Sequence, residues 1–174
     1  SVADFVIAND LADNQALIDA KNDETVAATA KIGEKIAIRR FAKFVTETGI
    51  VESYIHMGGR IGVMVNVECA DFNDEAKEAA RDVAMHIAAM NPAYLDEASV
   101  PAEDLEKEKH FILAQMKEDP KNANKPENIL EKMLTGKINK FFEQNCVTKQ
   151  AFVKDDSLSV EKFLAAKGVK LVDF

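Results

Sequence analysis

The sequence predicts an α+β fold, with small antiparallel β-meanders packed on helices and an antiparallel helical hairpin projecting from them. Three observations carry this expectation. Residues 36 to 67 hold three consecutive runs rich in β-branched and aromatic residues, joined by short polar or glycine-bearing links, the signature of an antiparallel meander. An alanine-rich amphipathic segment follows at once and supplies the helix that so small a sheet needs on one face. After Pro101 come two charged helical segments with narrow apolar seams and one turn between them, which is the pattern of two helices packed mainly on each other.

In chain order, Val2 to Ala12 reads as a helix with Val2, Phe5 and Val6 on one side. Asp13 to Glu24 is polar and expected to be irregular. A second helix starts at Thr25, capped by Thr25 or Asp23, with Val26, Thr29, Ala30, Gly33 and Ile36 at helical spacing. Ile36 to Val45 is expected to form the first strand, Ile50 to Met57 the second and Ile61 to Val67 the third. Gly58-Gly59-Arg60 links the last two, and paired glycines supply the positive φ angles of a tight turn. Gly62, just inside the third strand, is out of place, since glycine weakens a strand and there suggests a close approach by another backbone or a partner.

Asn73 or Asp74 caps the covering helix, which runs to about Met90 with Ala76, Ala80, Val83, Ile87 and Met90 as its apolar stripe. Pro92 stops it. Pro101 opens the helical hairpin at a favoured first-turn position, with Glu103 and Asp104 complementing the helix dipole. Its seams are Leu105, Ile112, Leu113 and Met116, then Ile129, Leu130, Met133, Leu134, Ile138, Phe141 and Phe142. Gly136 is expected to mark where the second helix rejoins the body. Val147 to Asp156 reads as extended. Ser157 or Ser159 starts a short helix, Gly168 ends it, and Val169 to Phe174 forms a last strand.

The expected organisation is residues 1–35 as a helical remnant of a first subdomain, 36–100 as meander plus covering helix, 101–146 as the hairpin, and 147–174 as a return segment completing the core. Composition narrows the function. A net charge of −8 argues against a nucleic-acid partner, which needs a basic face. No apolar run approaches the roughly 20 residues of a membrane span, so no membrane partner is expected. Cys69 and Cys146 lie in apolar-patterned segments and read as buried thiols in a reducing compartment. The chain begins at Ser1 rather than methionine, and is expected to be processed, trimmed or part of something longer.

No constellation demands catalysis. His56, His86 and His110 are not at metal-ligand spacing, and no phosphate-cradling glycine loop is present. The expectation is therefore a protein that is not an enzyme, with no cofactor and no metal. Taken by pattern, His86 is a boundary histidine one turn after Asp82, hydrogen-bonded to it. Arg60 is a solvated turn arginine, and Arg39-Arg40 are surface or edge charges.

Five runs, in order, change these readings. Ala30 to Phe41 (AKIGEKIAIRRF) closely resembles the AKIGENI-x-IRR segment of bacterial elongation factor Ts. So do Tyr54-Ile55-His56 followed by Gly59 to Val65, Val83 to Ala89 with Asn91-Pro92, Gly136 to Phe141, and Gln150 to Asp155. Spaced along the chain in the family's order, they span most of it from about Thr25 to Phe174.

The resemblance implies a cytoplasmic guanine-nucleotide exchange factor that binds the GDP-bound GTPase elongation factor Tu and disturbs its magnesium and phosphate site. It also implies the core or dimerisation region of that family, as a possible homodimer or heterotetramer with the GTPase. Carried over by motif, Arg60, Ile61 and Gly62 form a hairpin contact with elongation factor Tu. Met85 and His86 face the same GTPase, which reverses the structural reading of His86. The family's small N-terminal helical module has no counterpart here, and the expectation is an N-terminally truncated member. Ala3-Asp4-Phe5-Val6 resembles either the family's TDFVAK motif, whose Asp-Phe pair inserts near the magnesium site, or the helix after it. In the second case the chain is expected to bind but to exchange nucleotide poorly. The alternative to exchange is a structural or scaffolding module that self-associates through sheet edges. A small hydrolase would need converging carboxylates.

Overall fold

A computed structural model describes residues 1–174 and divides into two compact units, Ser1–Phe44 and Val45–Phe174. The fold is α+β, with seven α-helices and antiparallel sheets of three and two strands.

The first unit is helical: α1 (Val2–Ala8), α2 (Asn14–Ala20) and α3 (Asn22–Ile32). Helix α2 occupies the stretch expected to be irregular. Asp13 caps it, accepting from the amides of Gln15 (2.7 Å) and Ala16 (3.4 Å), and Leu17 is fully buried. One buried leucine and a good cap suffice for two turns when neighbouring helices cover the apolar side. Helix α3 starts earlier than expected and ends at Gly33, whose φ of 80° closes it in the left-handed conformation.

Ile36 to Val45, expected as a strand, has no strand partner and is irregular. Two of its backbone amides go to side chains instead. Ile36 donates to Thr29 Oγ1 at 3.0 Å and Phe41 to Asn14 Oδ1 at 2.8 Å. Strand propensity measures fit to a sheet, and without a neighbouring strand it produces none.

The second unit is built on a three-stranded sheet of order β1-β2-β5, with β1 (Gly49–His56), β2 (Ile61–Cys69) and β5 (Val169–Asp173), all antiparallel. This corrects the meander: the third strand comes from the far end of the chain. Helix α4 (Asp74–Met90) covers one face, capped by Asn73 Oδ1, which accepts from the Ala76 amide at 2.8 Å. Val65, Val67 and Cys69 alternate toward α4 and meet Ala76, Ala79, Ala80, Val83, Ala84 and Ile87. Met90, expected on the stripe, is exposed. The alanines let helix and sheet approach closely, and each valine buried here contributes about 1.5–3 kcal/mol.

Helix α5 (Ala102–Glu118), a short turn at Pro120–Asn122 and helix α6 (Glu127–Asn145) form the helical hairpin. Its own small core is Ile112, Met116 and Ile138, flanked by Leu105, Leu130, Met133, Leu134 and Phe142. Leu113 and Ile129 stay exposed, and α6 runs unbroken through Gly136. The chain returns through a two-stranded ribbon, β3 (Ala151–Phe152) and β4 (Asp155–Ser159), then α7 (Val160–Ala166), capped by Ser159. Cys69 and Cys146 are buried free thiols. Burial and the nearby Asp96 and Glu97 push the Cys146 thiol up to about 11. No helix is long and apolar enough to cross a membrane.

Candidate partner-binding surface

The hairpin of β1 and β2 pairs His56 with Ile61 and Ile55 with Gly62. Its tip holds three successive residues at positive φ: Met57 at 49°, Gly58 at 66° and Gly59 at 95°. The two glycines fill the role expected of them. Met57 does not belong to the strand but to the turn, in a conformation that costs a residue with a Cβ about 1–2 kcal/mol. Arg60 leaves the turn at an ordinary φ of −75°. Met57, Arg60, Ile61 and Gly62 are all exposed.

The glycine at position 62 has no internal cause. Its φ is not in the positive region, and an added Cβ would meet only Ile55 Cδ1, at an ordinary 3.4 Å. Gly49 is the opposite case, because a Cβ there would run into the Val67 carbonyl oxygen and the Thr46 hydroxyl. The fold therefore needs glycine at 49 and is indifferent to it at 62.

Helix α4 contributes to two clefts beside the hairpin. One, of about 370 Å³, is lined by Ile61, Gly62, Ile87, Ala88, Pro92 and Phe174, among others. The other, of about 560 Å³, holds Met85 among Glu52, Tyr54, Arg81, Asp82 and Lys154. Tyr54 Oη and His56 Nδ1 lie 3.0 Å apart with their rings stacked at 5.7 Å, so β1 presents a paired aromatic edge beside the tip.

His86 points the other way. It is fully buried, and both ring nitrogens are engaged. Nε2 lies 2.9 Å from Gln150 Oε1, and the Val153 amide donates to Nδ1 at 3.2 Å. An amide that donates to Nδ1 requires that nitrogen to be bare, so the proton sits on Nε2 and is given to Gln150. Burial lowers the pKa of His86, and the Gln150 bond opposes that shift. The expected bond to Asp82 is absent. Asp82 instead pairs with Lys154 at 2.6 Å.

Of the residues singled out by sequence, Arg60, Ile61 and Gly62 share the exposed tip, Met85 opens onto a charged cleft, and His86 faces the core. Asp4 is exposed on α1, while Phe5 is half-buried with the Lys21 ammonium 4.1 Å from its ring centroid. Sequence reasoning missed Gln150. The only signal for it was its place at the head of the QAFVKD run, where no local pattern marks a buried amide.

The family profile described as "Elongation factor TS" matches residues 1–174. An elongation factor Ts of Nitratiruptor sp. is 52% identical over 141 residues, covering 79% of this chain and 45% of the relative. One from Clostridium kluyveri is 38% identical over 172 residues, covering 96% of this chain and 54% of the relative. One from Clostridium perfringens is 48% identical over 138 residues, covering 79% and 44%. The chain thus spans about half the length of the curated relatives it matches.

Proposed function

The chain belongs to the elongation factor Ts family, and from that premise we propose that it acts in translation as a guanine-nucleotide exchange factor for elongation factor Tu. The observation that carries the reading is the family match along the whole chain. The contact set is Arg60, Ile61 and Gly62 at the tip with Met85 in its cleft. What supports that set is the exposure of the tip and the absence of any internal reason for glycine at 62. His86 enters by another route: as a buried residue it supports the helix that presents Met85.

In this reading the domain plan is a first-subdomain segment over residues 1–35, the sheet hairpin and covering helix within 36–100, the helical hairpin over 101–146 and the completing segment 147–174. Exchange needs no covalent chemistry. The exchange factor and GDP each weaken the other's hold on the GTPase, and by linkage each promotes the other's release. The contact disturbs the magnesium and phosphate site of the GTPase, and Asp4-Phe5 is either the pair that reaches it or part of the helix after that motif.

Stopped-flow release of a fluorescent GDP analogue from elongation factor Tu, with and without this chain, tests the proposal. Acceleration that grows with the concentration of this chain is expected. No acceleration together with no binding overturns it. Binding without acceleration assigns Asp4-Phe5 to the helix after the magnesium-site motif.

One observation favours a second reading, a module that self-associates. Strand β1 is an edge strand with one side unpaired, and its Ile55 is 64% exposed. Such an edge can pair with a second copy. Sedimentation showing a dimer that does not bind elongation factor Tu would favour this reading.

A further inference from the structure

We infer that His86 and Gln150 form a brace that fixes the direction of the α5–α6 hairpin relative to the sheet, which makes Gln150 a positioning residue. Gln150 is hydrogen-bonded on every side. Its Oε1 accepts from His86 on α4, and its Nε2 donates to the Gln144 carbonyl in the last turn of α6 at 2.8 Å. Its own amide donates to the Cys146 carbonyl at 3.1 Å, and its carbonyl accepts from the Val160 amide at 3.0 Å, at the start of α7. One buried side chain therefore joins the covering helix to the base of the hairpin. His86 adds a second tie by accepting from Val153 in the ribbon turn.

The need for such a brace follows from the packing. The α5–α6 core is separate from the core under the sheet. Burial of apolar surface is non-directional and holds the hairpin base in place without fixing its angle. Backbone bonds tie the end of α6 to the loop that leaves α4: the Ala93 and Tyr94 amides donate to the Asn145 carbonyl at 2.9 and 3.0 Å, and the Val147 and Thr148 amides donate to the Tyr94 and Leu95 carbonyls at 2.9 and 3.1 Å. The side-chain link to the body of α4 passes through Gln150, whose Oε1 and Nε2 are both bonded, and in a low-dielectric interior such buried polar bonds are both strong and geometrically strict.

The functional weight of the brace rests on the proposed exchange reading, in which the sheet hairpin and the helical hairpin belong to one partner-binding body. The geometry itself does not. The test uses the whole chain, free in solution, with nitroxide labels on Ser53→Cys in β1 and Asn124→Cys between α5 and α6. Both sites are exposed, whereas the native thiols are buried. Pulsed electron-electron resonance is expected to give one narrow distance distribution. Gln150→Met, which keeps volume and removes the bonds, is expected to broaden it about two-fold or displace it, at a temperature well below the melting point.

A lowered Tm with an unchanged distribution means that Gln150 is merely a packed residue, and overturns the inference. If Gln150→Met fails to fold, His86→Asn serves. The Asn Oδ1 takes the place of Nδ1 and keeps the Val153 bond, while the Gln150 bond is lost. An unchanged distribution in that variant also overturns the brace. A broadened distribution upholds it. GDP release measured with the unlabelled chain reports separately on the exchange reading, so either can fail without the other.

Discussion

His86 Nε2 lies 2.9 Å from Gln150 Oε1 in the core, and the opposite ring nitrogen accepts from the Val153 amide. This arrangement admits only the neutral ring, because a proton on Nδ1 would face a donor. Burial accordingly lowers the pKa of His86 below its ordinary 6.5. An unfolded chain takes up a proton near pH 6.5 that the folded one refuses, so the unfolded state gains as pH falls. Stability is expected to be flat in this respect above about pH 7 and to decline as pH falls through 6.5 toward the lowered folded-state value. Thermal melts from pH 8 to 5 check this. The slope below pH 6.5 is expected to shrink in His86→Asn, and an undiminished slope would assign it to other groups.

Gly62→Val is expected to leave the fold intact and to weaken binding of elongation factor Tu by tenfold or more, about 1.4 kcal/mol. The added Cβ meets only Ile55 Cδ1 within the chain, and valine suits a strand better than glycine. Gly49→Ala is the internal control. It is expected to lower stability by about 2 kcal/mol or more, because the new Cβ collides with the backbone of β2. Melting curves and titration calorimetry separate the two effects. Unchanged affinity in Gly62→Val would remove position 62 from the contact set.

Met57 holds a φ of 49° at an exposed tip. Met57→Gly removes the Cβ penalty of about 1–2 kcal/mol and adds unfolded-chain entropy worth about 0.4–1 kcal/mol. A net gain of up to about 1.6 kcal/mol is expected by chemical denaturation. A loss of stability would mean that the Met57 side chain makes a contact worth more than its strain.

Ile138 belongs to the small core of the helical hairpin. Ile138→Ala is expected to cost about 2–4 kcal/mol locally. The two cores are separate, so the loss falls on α5 and α6 before it reaches the sheet. Hydrogen exchange is expected to quicken across residues 102–145 and to stay slow in β2. Uniform acceleration would show that hairpin and sheet unfold as one unit.

The helical hairpin, α4, α7 and the β1–β2 turn were legible because their signals are local. Asn73 with Ala76, Val83 and Ile87 specifies a capped amphipathic helix, and Gly58-Gly59 specifies a tight turn. Helix α2 was legible in principle through Asp13 and Leu17 but is too short and polar for a periodic signal. The candidate site divides in the same way. The exposed tip at Arg60 to Gly62 follows from the turn, whereas the inward direction of His86 does not follow from its place at the flank of a stripe. A flank position leaves exposure to whatever packs beside it, and here the Gln150 loop covers the ring.

By itself the sequence determined the family, the amphipathic helices, the turn and the odd glycine at 62, all of which are properties of neighbouring residues. Only the tertiary structure decided that β2 takes Val169–Asp173 as its second partner, while Ile36 to Val45 pairs with nothing. It also decided that His86 bonds Gln150 rather than Asp82. Local pattern states that a strand edge or a buried ring nitrogen needs a partner. Which partner fills the place depends on what the completed core brings within hydrogen-bonding distance.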